Sequence, residues 1–498
     1  MKRERRSVSG QTRELSLDYG TAAELAGALA AGTISALELT DHVIARIEAL
    51  DPKLNAVVVR DFERARESAR KADAALARGE RRPLLGVPLV IKESFDVAGL
   101  PTTWGVPAFK DFKPAEDAVV VRRMKQAGAI LLGKTNVPLL LGDWQSYNDV
   151  YGSTNNPWDL GRTPGGSSGG SSAALAAGFG PLSLGSDIGG SLRVPAHFCG
   201  VCAHKPTLGL VPLRGHGVPH SFARENGLSV VGPMARSVAD LELTLDLIAG
   251  PDESQAGTAY RLALPDARHR DLKDFRAIIL DEHPLMPAAA DMRAAIDTFA
   301  RRLVKAGVKV SRDARLVPDL AQAGRLYVKL LWAALSERWP QDVYDRANAA
   351  AKALDPADDS LTAERMRGPA MSHRDWAAAD IARIKIQQQW SALFRDWDVV
   401  IFPPMATPAY PHDHSPSPGA RKYDIDGKDY PYLDQMIWAA IATLPGLPAT
   451  AVPVALSPKG LPIGAQIVGP YLEDRTPLAF ASLMEREFGG FVPPPGYA

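Results

Sequence analysis

Apolar residues near the start of the chain recur at spacings of three and four residues, which is typical of amphipathic helices. The segments 21–32 (TAAELAGALAAG) and 35–50 (SALELTDHVIARIEAL) each begin at a Thr or Ser that can cap a helix. The segment 63–78 has the same period and ends before a glycine. We therefore expect three N-terminal helices, preceded by a flexible tail over residues 1–20.

Short apolar runs then alternate with helical patterns. Residues 84–91 (LLGVPLVI) predict a buried strand, residues 117–128 a helix and residues 129–133 (AILLG) the next strand. This order is typical of parallel α/β architecture. A terminal helix and further elements are expected later: strands at 278–281, 399–402 and 449–454, and a helix with a strand over 290–310. The pattern predicts one α/β domain over 21–498 with a mixed, mostly parallel central sheet covered by helices on both faces.

The stretch 320–395 has a helical pattern rich in Ala, Trp and Arg, without any motif that indicates chemistry. We interpret it as a variable pocket wall or lid. The segments with strand and Gly/Ser patterns, residues 80–250, are then expected to form the catalytic core.

Charge and composition exclude several classes of protein. Lys+Arg and Asp+Glu are both 57, so the net charge is zero and nothing indicates a nucleic-acid partner. No run of about 18 apolar residues predicts a membrane span. The basic start, MKRERR, is followed by polar residues rather than by the apolar stretch of a secretory signal. These features predict a cytoplasmic enzyme with no membrane partner.

The only two cysteines, Cys199 and Cys202, have the C-x-x-C spacing of redox and metal sites. A metal site would need a second pair of ligands, and none is present in the sequence pattern. We expect both to be small buried apolar residues, because free cysteine is commonly buried.

The segment 163–207 is rich in Gly and Ser and carries the candidate chemistry. Its TPGGSSGGSS stretch continues directly into apolar sequence, which favours a buried helix and strand over a flexible linker. Two Gly-Gly-Ser turns end at Ser167 and Ser191. Glycine allows backbone N–H groups to face a ligand. The second turn can therefore form an oxyanion hole from four backbone amides, those of Ile188, Gly189, Gly190 and Ser191.

A serine nucleophile needs a base. His197 and His204 are the nearest histidines in the sequence, but their spacing defines no triad. A lysine can act instead if its pKa falls by roughly 3 units from about 10.4, which burial favours. Lys92 follows the apolar run VPLVI and is the candidate.

The segment 165–207 resembles the Gly/Ser-rich signature of the amidase signature family, including two serines 24 residues apart. Supporting resemblance extends over nearly the whole chain and is weakest in 250–395. The similar segments are VPLVIKESFDVAG around Lys92, GKTNVP (133–138), TNNPWD (154–159), VVGPMARSVADL (230–241), LPGLPATAVPV (444–454) and GLPIGAQIVGP (460–470).

The resemblance implies a Ser–cis-Ser–Lys triad. Ser191 would be the nucleophile, Ser167 would follow a cis peptide bond and relay a proton, and neutral Lys92 would be the base. No metal and no organic cofactor is implied. The implied activity is hydrolysis of small-molecule amides through an acyl-enzyme, and the same machinery could act on esters and carbamates (urethanes). A homodimer is implied by the family alone.

Further residues are assigned supporting roles by the resemblance. Asp187 and Arg193 would brace the second turn, while Ser168 and Ser186 would support the hydrogen-bond network. By their place after GKTNVP, three residues are candidates for the substrate pocket: Leu141, Trp144 and Tyr147.

Three other interpretations stay open at this point. Gly165–Gly169 also matches the G-x-S-x-G elbow of α/β-hydrolases, with Ser167 as nucleophile and His412 or His414 as the later histidine. A second is the A subunit of a glutamine-dependent amidotransferase, since one fold hosts several functions. A third is a non-catalytic scaffold, which the joint presence of the triad residues disfavours.

Overall fold

Eleven strands form one sheet through the middle of the described chain, residues 15–221 and 226–497 of a computed structural model. Two short hairpins lie outside this sheet. In chain order the strands are β1 Val57–Arg60, β2 Pro88–Lys92, β3 Ile130–Thr135, β4 Tyr147–Asn148, β5 Gly152–Ser153, β6 Leu182–Asp187, β7 Cys202–Lys205, β8 Val230–Ala235, β9 Arg276–Ile279, β10 Lys309–Ser311, β11 Val399–Phe402, β12 Lys422–Ile425, β13 Lys428–Pro431, β14 Ala449–Leu456 and β15 Pro462–Val468.

The helices of the described residues surround the sheet. They are α1 Ala22–Ala31, α2 Ala36–Leu54, α3 Phe62–Ala77, α4 Val119–Gln126, α5 Gly169–Ala176, α6 Arg193–Cys199, α7 Val238–Ile248, α8 Ala290–Lys305, α9 Leu320–Leu335, α10 Gln341–Lys352, α11 Leu361–Arg367, α12 His373–Leu393, α13 Ile437–Thr443 and α14 Arg475–Phe488. None of these helices is both long and apolar enough to cross a membrane.

The strand order is β1-β3-β2-β6-β8-β7-β14-β15-β11-β9-β10. Parallel pairing occurs in two blocks, β3-β2-β6 and β11-β9-β10. The remaining neighbours pair antiparallel. The predicted mixed sheet is confirmed, and its parallel character belongs to these two blocks.

Apolar side chains leave both faces of the sheet. In β11, Val399 and Ile401 enter one core cluster, whereas Val400 and Phe402 enter a second. Successive side chains of a strand point to opposite faces, so each face is buried by its own layer of helices. The predicted cover of helices on both faces is therefore confirmed.

The N-terminal helices begin where the sequence predicts. Thr21 and Ser35 each form a capping box at the start of α1 and α2. The predicted strand over 84–91 is wrong in its first half, because β2 begins only at Pro88. Residues before it form a turn in which Gly86 has a φ of +89°. A short apolar run in such a turn has the same sequence pattern as the start of a buried strand.

A flexible tail was predicted over residues 1–20. Residues 1–14 lie outside the described residues, and for residues 15–20 the prediction is wrong. Asp18 forms an ion pair with Arg46 at 3.0 Å. The Tyr19 hydroxyl donates to the carbonyl oxygen of Tyr497. The folded domain therefore includes residues 15–20, because side-chain contacts with distant parts of the chain hold them.

The stretch 320–395 is helical, as predicted, and consists of α9 to α12 with short connections. Its α9 contributes Tyr327, Val328 and Leu331 to the second core cluster. This segment is thus packed against the core through α9. Cys199 and Cys202 are both buried and unpaired, which confirms the interpretation of them as small core residues.

Substitution of two glycines with similar φ values can distinguish the cost of backbone strain from the cost of steric overlap. Gly128 (φ +96°) would place a Cβ 2.6 Å from the Leu85 Cα, whereas Gly79 (φ +83°) has open space. We expect Gly79→Ala to lower the free energy of unfolding by about 1 kcal/mol through strain alone. We expect Gly128→Ala to lower it by about 3 kcal/mol, because overpacking is added. Urea unfolding midpoints compare the two variants, and equal shifts would contradict the assigned overlap.

Candidate active site

The site lies at the carboxyl ends of β2 and β6, which are parallel neighbours. Open α/β sheets commonly bind ligands at this edge. Lys92 is the last residue of β2, and Asp187 is the last residue of β6. The turn containing Ser167 leads into α5, and the turn containing Ser191 leads into α6. The Ser168 N–H donates to the Ser191 carbonyl oxygen at 3.2 Å, so the two turns are joined directly.

Lys92 is fully buried, and its Nζ is hydrogen-bonded to Ser167 Oγ at 2.6 Å and to Ser186 Oγ at 2.9 Å. Burial lowers the pKa of Lys92 to about 7, while the Asp187 carboxylate acts in the opposite direction. A large fraction of the Lys92 amine is therefore neutral near pH 7. The peptide bond between Gly166 and Ser167 is cis, as the resemblance implies.

Two glycines allow the turns to pack closely. A Cβ on Gly166 would lie 2.3 Å from the Asp143 carbonyl oxygen. Gly190 has a φ of +94°, and a Cβ there would lie 2.9 Å from Val194 Cγ2. Larger residues at these positions would displace the backbone that carries both serines.

The backbone amides of the second turn differ in their partners. Among the residues described, the N–H groups of Ile188, Gly189 and Ser191 donate to no protein acceptor. The Gly190 N–H donates to Asp187 Oδ1 at 2.9 Å. Of the four amides predicted to form an oxyanion hole, that of Gly190 therefore already has an acceptor, the carboxylate that ends β6.

The carbonyl groups of the same turn are held by two side chains from elsewhere in the fold. The Tyr327 hydroxyl donates to the Ile188 oxygen at 2.7 Å, and Trp144 Nε1 donates to the Gly189 oxygen at 2.8 Å. Tyr327 was not among the predicted site residues. It lies in the apolar stripe of α9, where a buried tyrosine has the same sequence pattern as any core residue.

Asp187 and Arg193 form a buried ion pair next to Ser191, with Arg193 Nη2 2.9 Å from Asp187 Oδ1. Burial would raise the pKa of Asp187, but the Arg193 guanidinium, with smaller contributions from Lys205 and the Gly190 N–H, outweighs burial and holds this pKa at about 2. Arg193 also donates to Thr443 Oγ1 at 2.8 Å and to Gln466 Oε1 at 2.7 Å. These bonds tie the turn to α13 and β15.

The three pocket candidates have separate surroundings. Trp144 is buried and holds the Gly189 carbonyl, as described above. The Tyr147 hydroxyl accepts from Arg421 at 2.7 Å, and its ring stacks on His414 with centroids 3.9 Å apart. Leu141 is half-buried in the short 3₁₀ segment Leu139–Leu141. Only Trp144 of the three is shown in contact with the second turn.

A buried ion pair that sequence analysis missed supports the first turn. Asp143 pairs with Arg421 at 2.6 Å and accepts from the Tyr432 hydroxyl at 2.6 Å. Asp143 also contributes the carbonyl oxygen against which Gly166 packs. No sequence signal links Asp143 with Arg421, since they are distant along the chain.

The histidines that could have served as a base have other partners. The elbow interpretation is wrong, because Ser167 Oγ is hydrogen-bonded to Lys92 and no histidine contact to it is found in the described chain. The partners are Gly464 and Thr407 for His197, Thr450 and Asp474 for His204, Asn155 for His412, and the Tyr147 ring for His414.

Comparison with known proteins shows the family to which the chain belongs. The sequence profile of the amidase family matches residues 38–478. An indoleacetamide hydrolase of Bradyrhizobium diazoefficiens is 34% identical over 476 residues, covering 94% of this chain and 86% of the relative. The A subunit of a glutamyl-tRNA(Gln) amidotransferase from Roseiflexus castenholzii is 33% identical over 486 residues, covering 94% and 95%.

Among solved structures, a bacterial aryl acylamidase of the amidase signature family superimposes with a TM-score of 0.78 at 25% identity, covering 95% of this chain and 96% of that one. The family match and the fold thus define an amidohydrolase of the α/β class. The chain belongs to the amidase family, also called the amidase signature family.

The ion pair beside Ser191 predicts a large loss of stability when it is broken. We expect Arg193→Leu to lower the free energy of unfolding by about 3–5 kcal/mol, because it leaves Asp187 charged and buried. Arg312→Leu is the control, since Arg312 forms ion pairs at the surface and should cost at most about 1 kcal/mol. Thermal unfolding measures both, and similar losses would contradict the importance of burial.

Proposed function

We propose that the protein hydrolyses the C–N bond of amides through an acyl-enzyme on Ser191, with Lys92 and Ser167 transferring protons. The observation that carries this proposal is the 2.6 Å contact between the buried Lys92 Nζ and Ser167 Oγ. It supports a base that is neutral near pH 7 and is already bonded to a hydroxyl relay.

In the first half of the reaction, neutral Lys92 accepts the proton of the Ser167 hydroxyl, and Ser167 takes the proton of Ser191. The Ser191 Oγ then bonds to the amide carbon, and the carbonyl electron pair moves to oxygen. The amides of Ile188, Gly189 and Ser191 are the available donors to this oxyanion.

The tetrahedral intermediate then collapses. The C–N bond breaks, and the proton on Lys92 passes through Ser167 to the departing amine. Water then attacks the acyl ester on Ser191, with protons again transferred through Ser167 and Lys92. This step releases a carboxylic acid and restores the Ser191 hydroxyl. These steps use the side chains named here, backbone amides and water.

We infer a small-molecule amide with an aryl or otherwise apolar group as substrate. The relatives named as an indoleacetamide hydrolase and an aryl acylamidase support this class. Esters and carbamates are secondary candidates, because they pass through a similar oxyanion and their leaving groups need less proton transfer.

The similarity to the A subunit of an amidotransferase, 33% identical over almost the whole chain, favours one second candidate function. In that case the chain would release ammonia from glutamine within an assembly. Turnover of arylacetamides by the isolated chain would support the free-standing amidase. Glutamine turnover that requires added partner proteins would support the alternative.

The nucleophile can be identified by labelling with a fluorophosphonate. We expect one adduct by intact mass, mapped to the peptide that contains Ser191, because only an activated serine reacts. Ser191→Ala should abolish labelling and turnover. The control is Ser183→Ala, a buried serine of β6 whose loss should leave both unchanged. An adduct on Ser167 would contradict the assignment.

The protonation state of Lys92 should control the rate. We expect kcat/KM for an amide to rise with pH and to level off above an apparent pKa near 7, because only the neutral amine accepts a proton. Initial rates between about pH 5.5 and 8.5 measure this profile. Lys92→Ala should lose most activity together with this rise. A flat profile for the unmodified enzyme would count against Lys92 as the base.

A further inference from the structure

Tyr327 on α9 reaches the catalytic turn from outside the catalytic core. Its side chain is fully buried in the second core cluster, and its hydroxyl donates to the Ile188 carbonyl oxygen at 2.7 Å. Burial raises the pKa of Tyr327 well above its usual range, with a smaller contribution from the Asp187 carboxylate. The hydroxyl is therefore a neutral donor at any pH at which the enzyme works.

The bonded carbonyl fixes the direction of a neighbouring amide. The Ile188 C=O and the Gly189 N–H belong to one planar trans peptide unit and point in opposite directions. Tyr327 therefore turns the Gly189 N–H away from α9. In that orientation the N–H has no protein acceptor among the described residues. An amide held in one direction without a partner is available to an oxyanion.

The next peptide unit shows why this contact matters. The Gly189 carbonyl accepts from Trp144, and the Gly190 N–H of the same unit donates to Asp187. That unit is held at both ends. The unit before it is held only at its carbonyl end, and it precedes a glycine whose backbone is freer to rotate than that of other residues.

We propose that Tyr327 is a positioning residue, whose hydroxyl orients the Ile188–Gly189 peptide so that the Gly189 N–H stabilises the oxyanion formed on Ser191. This inference rests on the proposed function. It assigns to the helical segment 320–395 a part in the stabilisation of the transition state, in addition to any part in covering the site.

The test compares Tyr327→Phe with Tyr423→Phe. Tyr423 is a buried tyrosine of the same core cluster, and its hydroxyl is hydrogen-bonded to Thr407, away from the catalytic turn. Both variants lose one buried hydroxyl. Active sites are counted first by fluorophosphonate titration, so that rates refer only to folded, reactive enzyme.

For Tyr327→Phe we expect kcat per active site to fall by roughly tenfold or more, since complete loss of an oxyanion donor costs about 10²–10³ in rate. KM should change by less than about twofold, because the substrate ground state carries no oxyanion charge. Affinity for a trifluoromethyl ketone, which forms an oxyanion on the nucleophile, should fall in proportion to kcat. Tyr423→Phe should change neither quantity.

Equal kcat and equal ketone affinity in Tyr327→Phe and the unmodified enzyme would overturn the inference while leaving the proposed function intact. A loss confined to stability, with normal kcat per titrated site, would also overturn it. Failure of the unmodified enzyme to react at Ser191 would overturn the proposed function, and the inference with it.

Discussion

The removal of the Lys92 amine from water is the constraint on which the rest of the site depends. An isolated buried ammonium is costly, so its pKa falls until the neutral form is populated near pH 7. A nearby carboxylate could reverse this effect. Asp187 is that carboxylate, and Arg193 forms an ion pair with it. The ion pair weakens the net electrostatic field of Asp187 at Lys92, and the amine proposed as the base can remain neutral.

The sheet brings these groups together with little help from long loops. Because β2 and β6 run parallel, Lys92 and Asp187 reach the same edge. The turn before α5 supplies Ser167, and the turn before α6 supplies Ser191. The hydrogen bond from the Ser168 N–H to the Ser191 carbonyl oxygen joins these turns, so their relative position is fixed by backbone atoms. Side chains from α9 and from the loop with Trp144 then hold the carbonyl groups of the second turn.

The groups of the candidate site could be proposed from the sequence because they lie within short segments of it. Lys92 follows an apolar strand, and Ser167 and Ser191 follow repeated glycines. The supporting contacts were not predictable in this way. Tyr327 lies on an apolar helix face, and its hydroxyl acquires a role only from a carbonyl 139 residues earlier. Asp143 and Arg421 are 278 residues apart and form a pair only in the folded chain.

The fold was predictable to a similar degree. Helices with capped starts and a clear period were predicted close to their true bounds, as for α1 and α2. Short strands such as β1 and β7 contain four residues each, too few for a period to be recognised. Their antiparallel pairing is set by neighbours distant in sequence. The pattern therefore indicated a mixed sheet without giving its strand order.

The partners of Arg193 also have a consequence for synthesis of the protein on the ribosome. Lys92, Ser167 and Ser191 all precede Arg193 in the sequence and are translated before it. Thr443 and Gln466, which complete the bonding of Arg193, are translated 250 residues or more after it. A nascent chain thus carries the three proposed catalytic residues well before the residues that support them. Fragments that end before residue 443 therefore lack the bonds from Arg193 to Thr443 and Gln466 that hold the second turn in the folded chain.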